Sequence, residues 1–139
     1  MEVKFYRNLP NEAAEIRRSV FMEEQGFQDE FDGADDRAFH AVAFDGDKPV
    51  GTCRYFRNYG SENFTIGRIA VLKEYRGQNI GALMLKTVEE EIKRAGGTKC
   101  VLHAQTRVEE FYKKQGYKRN GEEDEEEGCP HIWMGKTLV

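Results

Sequence analysis

Val3 and Phe5 alternate with charged neighbours at the start of the chain, a period of two that predicts a short strand. After Asn8 and Pro10 the period changes. Ala13, Ile16 and Val20 recur at helical spacing and Pro10 suits a first turn, so a helix is predicted to about Glu24, before Gly26. Residues 28–37 hold five Asp or Glu (Asp29, Glu30, Asp32, Asp35, Asp36) and one Gly, which reads as a solvated loop. Phe39–Phe44 and Val50–Phe56, joined by a turn over Asp45–Pro49, have the composition of a β-hairpin.

Phe64–Leu72 is mostly apolar, as a strand central to a sheet should be. Next, Ile80, Leu83, Met84, Thr87, Val88, Ile92 and Ala95 fall at steps of three and four, a long amphipathic helix stopped by Gly96 and Gly97. Lys99–Ala104 predicts another strand. Thr106 with Glu109 reads as a capping box opening a short helix that carries Val108, Phe111 and Tyr112 and ends at Gly116. Tyr117–Asn120 and Ile132–Leu138 are predicted as closing strands on either side of an acidic loop. This order gives an α/β (α+β) fold with a single mixed, largely antiparallel sheet flanked by helices. No repeat or linker divides it, so residues 1–139 are expected to be a single domain.

Composition agrees with one domain. At 139 residues, 39% hydrophobic and 12% aromatic, the chain can build a core without disulfides, and 33% charged residues cover the outside. No apolar run approaches the roughly 20 residues of a membrane span, and Met1–Arg7 lacks the apolar core of a signal peptide. A cytoplasmic location without a membrane partner is the expectation. The net charge of −4 is local: six acidic residues occupy 122–127, and setting them aside leaves 21 basic against 19 acidic residues. That balance has no dense basic stripe, so no nucleic-acid partner is expected. Cys53, Cys100 and Cys129 show none of the short paired spacings of zinc or redox motifs, so free thiols and no metal are expected.

Chemistry concentrates in Arg76, Gly77, Gln78, Asn79, Ile80, Gly81 and Ala82, between a buried strand and the long helix. A helix N-terminus leaves backbone N–H groups unpaired and carries about half a positive charge, and glycines let a phosphate come close to those amides. The spacing matches neither a P-loop, since no Lys-Ser/Thr pair follows the glycines, nor a dinucleotide fingerprint. The segment does resemble the pyrophosphate loop of the GNAT N-acetyltransferases: Arg or Gln, two residues, Gly, one residue, then Gly or Ala. Arg76 and Gly81 fill the outer positions. Asn79 stands where the family usually has Gly, a departure made by a residue that tolerates the left-handed backbone.

The resemblance runs over nearly the whole chain. Arg68, Ile69, Ala70 and Val71 resemble the family's splayed central strand, and Phe111–Tyr117 its C-terminal helix and following strand. Val20–Gly26, the pair His103 and Gln105, and Gly128–Met134 are similar to the ElaA-like branch, whose acceptors are poorly defined. The resemblance implies a GNAT fold splayed at its central strands. It implies acetyl-coenzyme A as cosubstrate, and acetyl transfer to a primary amine of a small molecule or peptide by direct attack in a ternary complex. The cofactor set it implies is Ile69, Ala70, Val71, the loop 76–82, Phe111 and Tyr112. A monomer and a homodimer both stay open, and a non-catalytic acyl-coenzyme A binding or sensing module is the alternative.

Transfer to an amine needs a deprotonated nitrogen, a stabilised oxyanion and an acid for the departing thiolate. By the resemblance, Tyr112 is the acid, and its phenol is protonated at neutral pH in its ordinary state. The main-chain N–H of Val71 is the oxyanion candidate. His103, on its strand beside the expected cleft, is the candidate base, and histidine titrates in the useful range. Glu24, His40 and His131 are further candidates for a base or for acceptor binding. Cys129 precedes Pro130 and His131, so a Cys–His nucleophile is considered, but no third orienting group is evident. The acidic run reads as a solvated loop or as an attraction for cationic acceptors.

Overall fold

The computed structural model describes residues 1–28 and 31–139. Among them are strands β1 (Glu2–Tyr6), β2 (Phe39–Asp45), β3 (Lys48–Arg57), β4 (Asn63–Val71), β5 (Lys99–Gln105), β6 (Lys118–Glu126) and β7 (Cys129–Thr137). They form one seven-stranded sheet in the order β1-β2-β3-β4-β5-β7-β6. Only β4 and β5 run parallel; the other neighbours are antiparallel. Helix α1 (Asn11–Arg17) continues into a π-helical stretch, Arg18–Glu24, while α2 spans Ile80–Arg94 and α3 spans Glu109–Lys114.

The sheet is covered on both faces. Ala13, Ile16, Val20 and Phe21 from α1 and its π extension pack on Val42, Phe44 and Ala70. Leu85, Val88 and Ile92 of α2 pack on Ile66, Leu102 and Ala104, and Ile80 and Met84 on Ala43 and Val50. Neighbouring residues such as Val42 and Ala43 thus point into opposite layers, as the pleat requires. This explains why β2 and β3 read as nearly continuous apolar runs. Burying each large side chain contributes about 1.5–3 kcal/mol, so these two layers dominate stability.

Two irregularities open the middle of the sheet. In β4, Thr52 faces Ala70 and Arg54 faces Gly67, so two residues oppose one, with Arg68 at φ 52°. A bulge of this kind bends its strand. Pairing between β4 and β5 is confined to Asn63–Thr65 against Lys99–Val101, and beyond it the two strands part.

Four expectations need correction. The acidic residues 122–126 are not a loop but the outer half of β6, which pairs with β7 and turns at Glu127 and Gly128. Thr106 and Glu109 form no capping box: Thr106–Val108 is a 3₁₀ turn, and Glu109 is held instead by a two-pronged bond from Arg119 at 2.6 and 2.8 Å. Residues 28–37 are not uniformly solvated, because Asp32 caps a 3₁₀ turn (Gly33–Asp36) with Asp35 in a capping box. Asp35 is buried between Arg17 and Arg54, whereas Asp29 and Glu30 lie outside the described residues. The first helix ends in a π stretch, where Gln25 N–H donates to Val20 O.

Candidate active site

A cleft of about 640 Å³ fills the gap between β4 and β5 and runs from the start of α2 to the ends of β6 and β7. Its cofactor half is built by local backbone. Gly77 (φ 82°) and Asn79 (φ 61°) both take left-handed conformations, so Asn79 adopts the geometry for which its glycine-like tolerance suits it. The helix then starts at Ile80 with no side-chain cap, leaving its first amides for an external acceptor. Gly81 keeps that turn narrow: a Cβ there would stand 3.3 Å from the Phe111 ring.

Val71, at the end of β4, lines the same cleft. Leu72 N–H donates to Val50 O, so by strand alternation the Val71 N–H points away from β3 and towards the gap. The Val71 carbonyl accepts from Arg76 Nε at 3.0 Å. Arg76 also reaches Glu24 with both terminal nitrogens, at 2.6 and 2.8 Å, and this hydrogen bond lowers the Glu24 carboxyl below its ordinary range. Sequence reasoning made Arg76 an outer position of the anion-binding loop and Glu24 a candidate for a base or for acceptor binding. The structure makes them partners.

Tyr112 and His103 stand on opposite sides of the gap. Leu102 and Ala104 share the α2-side core with Tyr112, so His103 between them projects to the α1 side, as does Gln105, which donates to Gln25 at 2.9 Å. Both line the cleft. Tyr112 is buried, and that burial pushes its phenol well above the ordinary tyrosine value, keeping it protonated. The His103 ring is bonded through Nε2 to Asp124 Oδ1 at 2.7 Å and stacks on Trp133 with centroids 4.7 Å apart.

Of the predicted set, Ile69, Ala70, Val71, Arg76, Gly77, Asn79, Ile80, Gly81, Ala82, Phe111, Tyr112, His103 and His131 line this cleft. Gln78 is exposed and is not among the lining residues. Glu24 and Cys129 border an adjoining cavity of about 410 Å³, which shares Gln25, Phe27 and Gln105 with the cleft. His40 reaches neither cavity: it is buried on β2, with Nε2 3.0 Å from Asp35 O, and burial lowers its basicity. Cys129 and His131 form no nucleophilic pair, since His131 Nδ1 meets the Cys129 carbonyl oxygen at 2.8 Å and not its thiol. Asp124, Glu126, Phe27 and Trp133 were missed. Six successive acidic residues carry no period-two signal, so the strand that aims Asp124 at His103 was invisible in them.

A bulged, parted parallel pair beside an uncapped helix start forms a cleft suited to an extended ligand with an anionic group at the helix end. The family profile "Acetyltransferase (GNAT) domain" matches residues 8–138, and the chain belongs to that family. The uncharacterized N-acetyltransferase YjcF of Bacillus subtilis is 35% identical over 124 residues, 87% of each chain. Among solved structures, ElaA of Escherichia coli superimposes with a TM-score of 0.86 at 25% identity, covering 97% of this chain and 98% of ElaA. An aminoglycoside 6'-N-acetyltransferase complexed with coenzyme A shares the fold at TM-score 0.80 and 20% identity, over 100% of this chain and 98% of that one.

Proposed function

We propose that this acetyltransferase moves the acetyl group of acetyl-coenzyme A to a primary amine by direct attack in a ternary complex. The observation that carries the reading is the opposition of Tyr112 and His103 across the gap between β4 and β5. The amides at the start of α2 are assigned to the pyrophosphate and the β4 edge to the pantetheine arm. The acceptor enters from the α1 side, between the π stretch and β7. His103, whose Nε2 is committed to Asp124, accepts the amine proton at Nδ1. The new C–N bond then forms, the Val71 N–H faces the oxyanion, the C–S bond breaks as Tyr112 gives its proton to the thiolate, and the surplus proton on the new amide nitrogen passes through water to the Tyr112 phenolate. Electrostatic and acid assistance of this kind needs no covalent enzyme intermediate.

Two measurements test this. Saturating acetyl-coenzyme A should raise the melting midpoint through linkage. Thiol release, followed colorimetrically with a panel of primary amines, should exceed the amine-free rate. An unshifted midpoint together with no calorimetric signal would remove the cofactor assignment. Binding without amine-dependent thiol release across the panel would instead leave a coenzyme A binding module.

A further inference from the structure

Three groups able to accept a proton, two imidazoles and a carboxylate, meet in the cleft on the α1 side of the sheet. Glu126 Oε2 lies 3.5 Å from His131 Nε2 and 3.8 Å from His103 Nδ1, and ligand atoms of the three residues all lie within 4.8 Å of one another. The outer partners assign the tautomers. His131 Nδ1 faces the Cys129 carbonyl, which can only accept, so Nδ1 carries a hydrogen and in the neutral ring Nε2 is the acceptor. His103 Nε2 faces the Asp124 carboxylate, so Nε2 carries a hydrogen and in the neutral ring Nδ1 is the acceptor. The two ring nitrogens and the carboxylate thus lie side by side, with the His103 and His131 ring centroids 4.6 Å apart, Trp133 stacked on His103 and Phe27 edge-on to His131.

From this convergence we infer that His103, His131 and Glu126 form a cradle for the acceptor's primary ammonium group, taking one N–H each. The distances admit this occupant. Three atoms mutually within 4.8 Å fit in a circle of radius about 2.8 Å, and a hydrogen bond of about 2.9 Å therefore reaches all three from a single nitrogen. A zinc-type ion holds ligands at about 2.0–2.2 Å, roughly 3.3–3.6 Å apart in a tetrahedron, a range that the 3.5 Å spacing meets and the 3.8 Å spacing slightly exceeds, so zinc is tested beside the amine. Two members of the acidic strand β6 then act on the acceptor's nitrogen. Glu126 supplies the countercharge, and Asp124 is a positioning residue that fixes the His103 ring. From the docked R–NH₃⁺ one proton passes to His103 Nδ1, leaving R–NH₂ and an imidazolium. This inference rests on the proposed amine transfer, and it places the acceptor's nitrogen where that reading needs it.

The test uses the full chain with coenzyme A present, so that no transfer occurs. Butylamine, butyltrimethylammonium and zinc chloride are titrated separately, followed by calorimetry and by fluorescence of Trp133, the single Trp of the chain. Butylamine should bind at least tenfold more tightly than its quaternary analogue, which has no N–H to give. Glu126→Gln, on an exposed side chain that folding does not need, should weaken butylamine at least tenfold while leaving coenzyme A affinity unchanged. Asp124→Asn should weaken it less, by releasing the ring. Equal affinity for both amines, no amine binding, or an unaltered Glu126→Gln variant would overturn the cradle. Tight zinc binding that Glu126→Gln abolishes, without amine binding, would make it a metal site instead. Loss of coenzyme A binding with amine binding intact would count against the transfer reading alone.

Discussion

Glu24 and Arg76 are joined by two hydrogen bonds of 2.6 and 2.8 Å across 52 positions of sequence, tying the end of the π stretch to the start of the α2 loop. Because Arg76 also holds the Val71 carbonyl, one guanidinium spans three pieces of the cleft. It acts as a brace as well as a charge beside the anion-receptive turn.

The two variants of this pair should move coenzyme A affinity in opposite directions. Arg76→Ala removes brace and charge, and affinity should fall by about tenfold, the loss of one charge-assisted contact. Glu24→Gln removes the competing carboxylate, and affinity should rise modestly. Melting midpoints should barely change, because exposed ion pairs contribute only about 0–1 kcal/mol. Calorimetric titration decides; a comparable loss in both variants would mean that the brace, and not the charge, sets affinity.

Asp35 is the electrostatic anchor of the α1 side. It receives Arg17 at 2.8 and 3.0 Å and Arg54 at 3.0 Å, while Arg54 also reaches Asp32 at 2.6 Å. Burial raises its carboxyl, but the bonds and charges of the two arginines outweigh that and bring it from 3.8 to about 2. Asp35→Asn removes the carboxylate that joins Arg17 and Arg54 and should cost about 1–3 kcal/mol in urea unfolding. A carboxyl depressed by folding stabilises above its unfolded value and loses that contribution as pH falls through the folded one. Wild-type stability should therefore drop between about pH 4 and 2. A variant with an equally steep acid limb would assign that limb to other carboxyls.

Gly81 tests the cofactor half. Gly81→Ala brings a methyl to 3.3 Å from Phe111, which a small ring shift relieves, and Gly81→Val adds two more carbons at the mouth of the amides. Coenzyme A affinity should decline stepwise, by at least tenfold for Val, with the fold intact by circular dichroism. Undiminished binding by the Val variant would move the pyrophosphate off this turn.

Cys129 has an intermediate exposure, and among the described residues its thiol reaches the Pro130 carbonyl, at 3.9 Å. Direct transfer has no use for it. Cys129→Ala should keep most activity, and mass spectrometry of the wild type after acetyl-coenzyme A alone should show no stoichiometric acetylation there. An acetylated Cys129 combined with an inactive variant would replace direct transfer with double displacement.

The periodicity of the chain located α2, the hairpin of β2 and β3, and the central strand because each buries a regular stripe, as with Met84, Val88 and Ile92. It could not reveal features decided by long-range pairing. Glu109 reads as a capping residue until Arg119, ten positions on, takes its carboxylate. Asp32 and Asp35 look solvated until Arg54 arrives from another strand. The loop before α2 was legible because its shape is local backbone geometry, written in Gly77, Asn79 and Gly81. The acceptor side was not, since His103, Asp124, Glu126 and His131 meet only through the registers of β5, β6 and β7.

Tyr112 carries the last prediction. Burial holds its hydroxyl well above the ordinary tyrosine value, and the ring packs against Phe111 and Tyr117 at centroid distances of 5.0 and 6.2 Å. Tyr112→Phe keeps that packing and removes only the donor. Turnover should fall on the order of 10²-fold, in keeping with general-acid contributions, while coenzyme A affinity and melting midpoint stay close to wild type. The separation of effects matters because a packing residue and an acid respond differently. If the hydroxyl serves only the core, the midpoint moves and turnover follows it. If it protonates the thiolate, turnover falls alone, and a more acidic leaving thiol in place of coenzyme A's should recover part of the loss. Equal turnover in the two proteins would return Tyr112 to the core and leave the thiolate to be protonated by water.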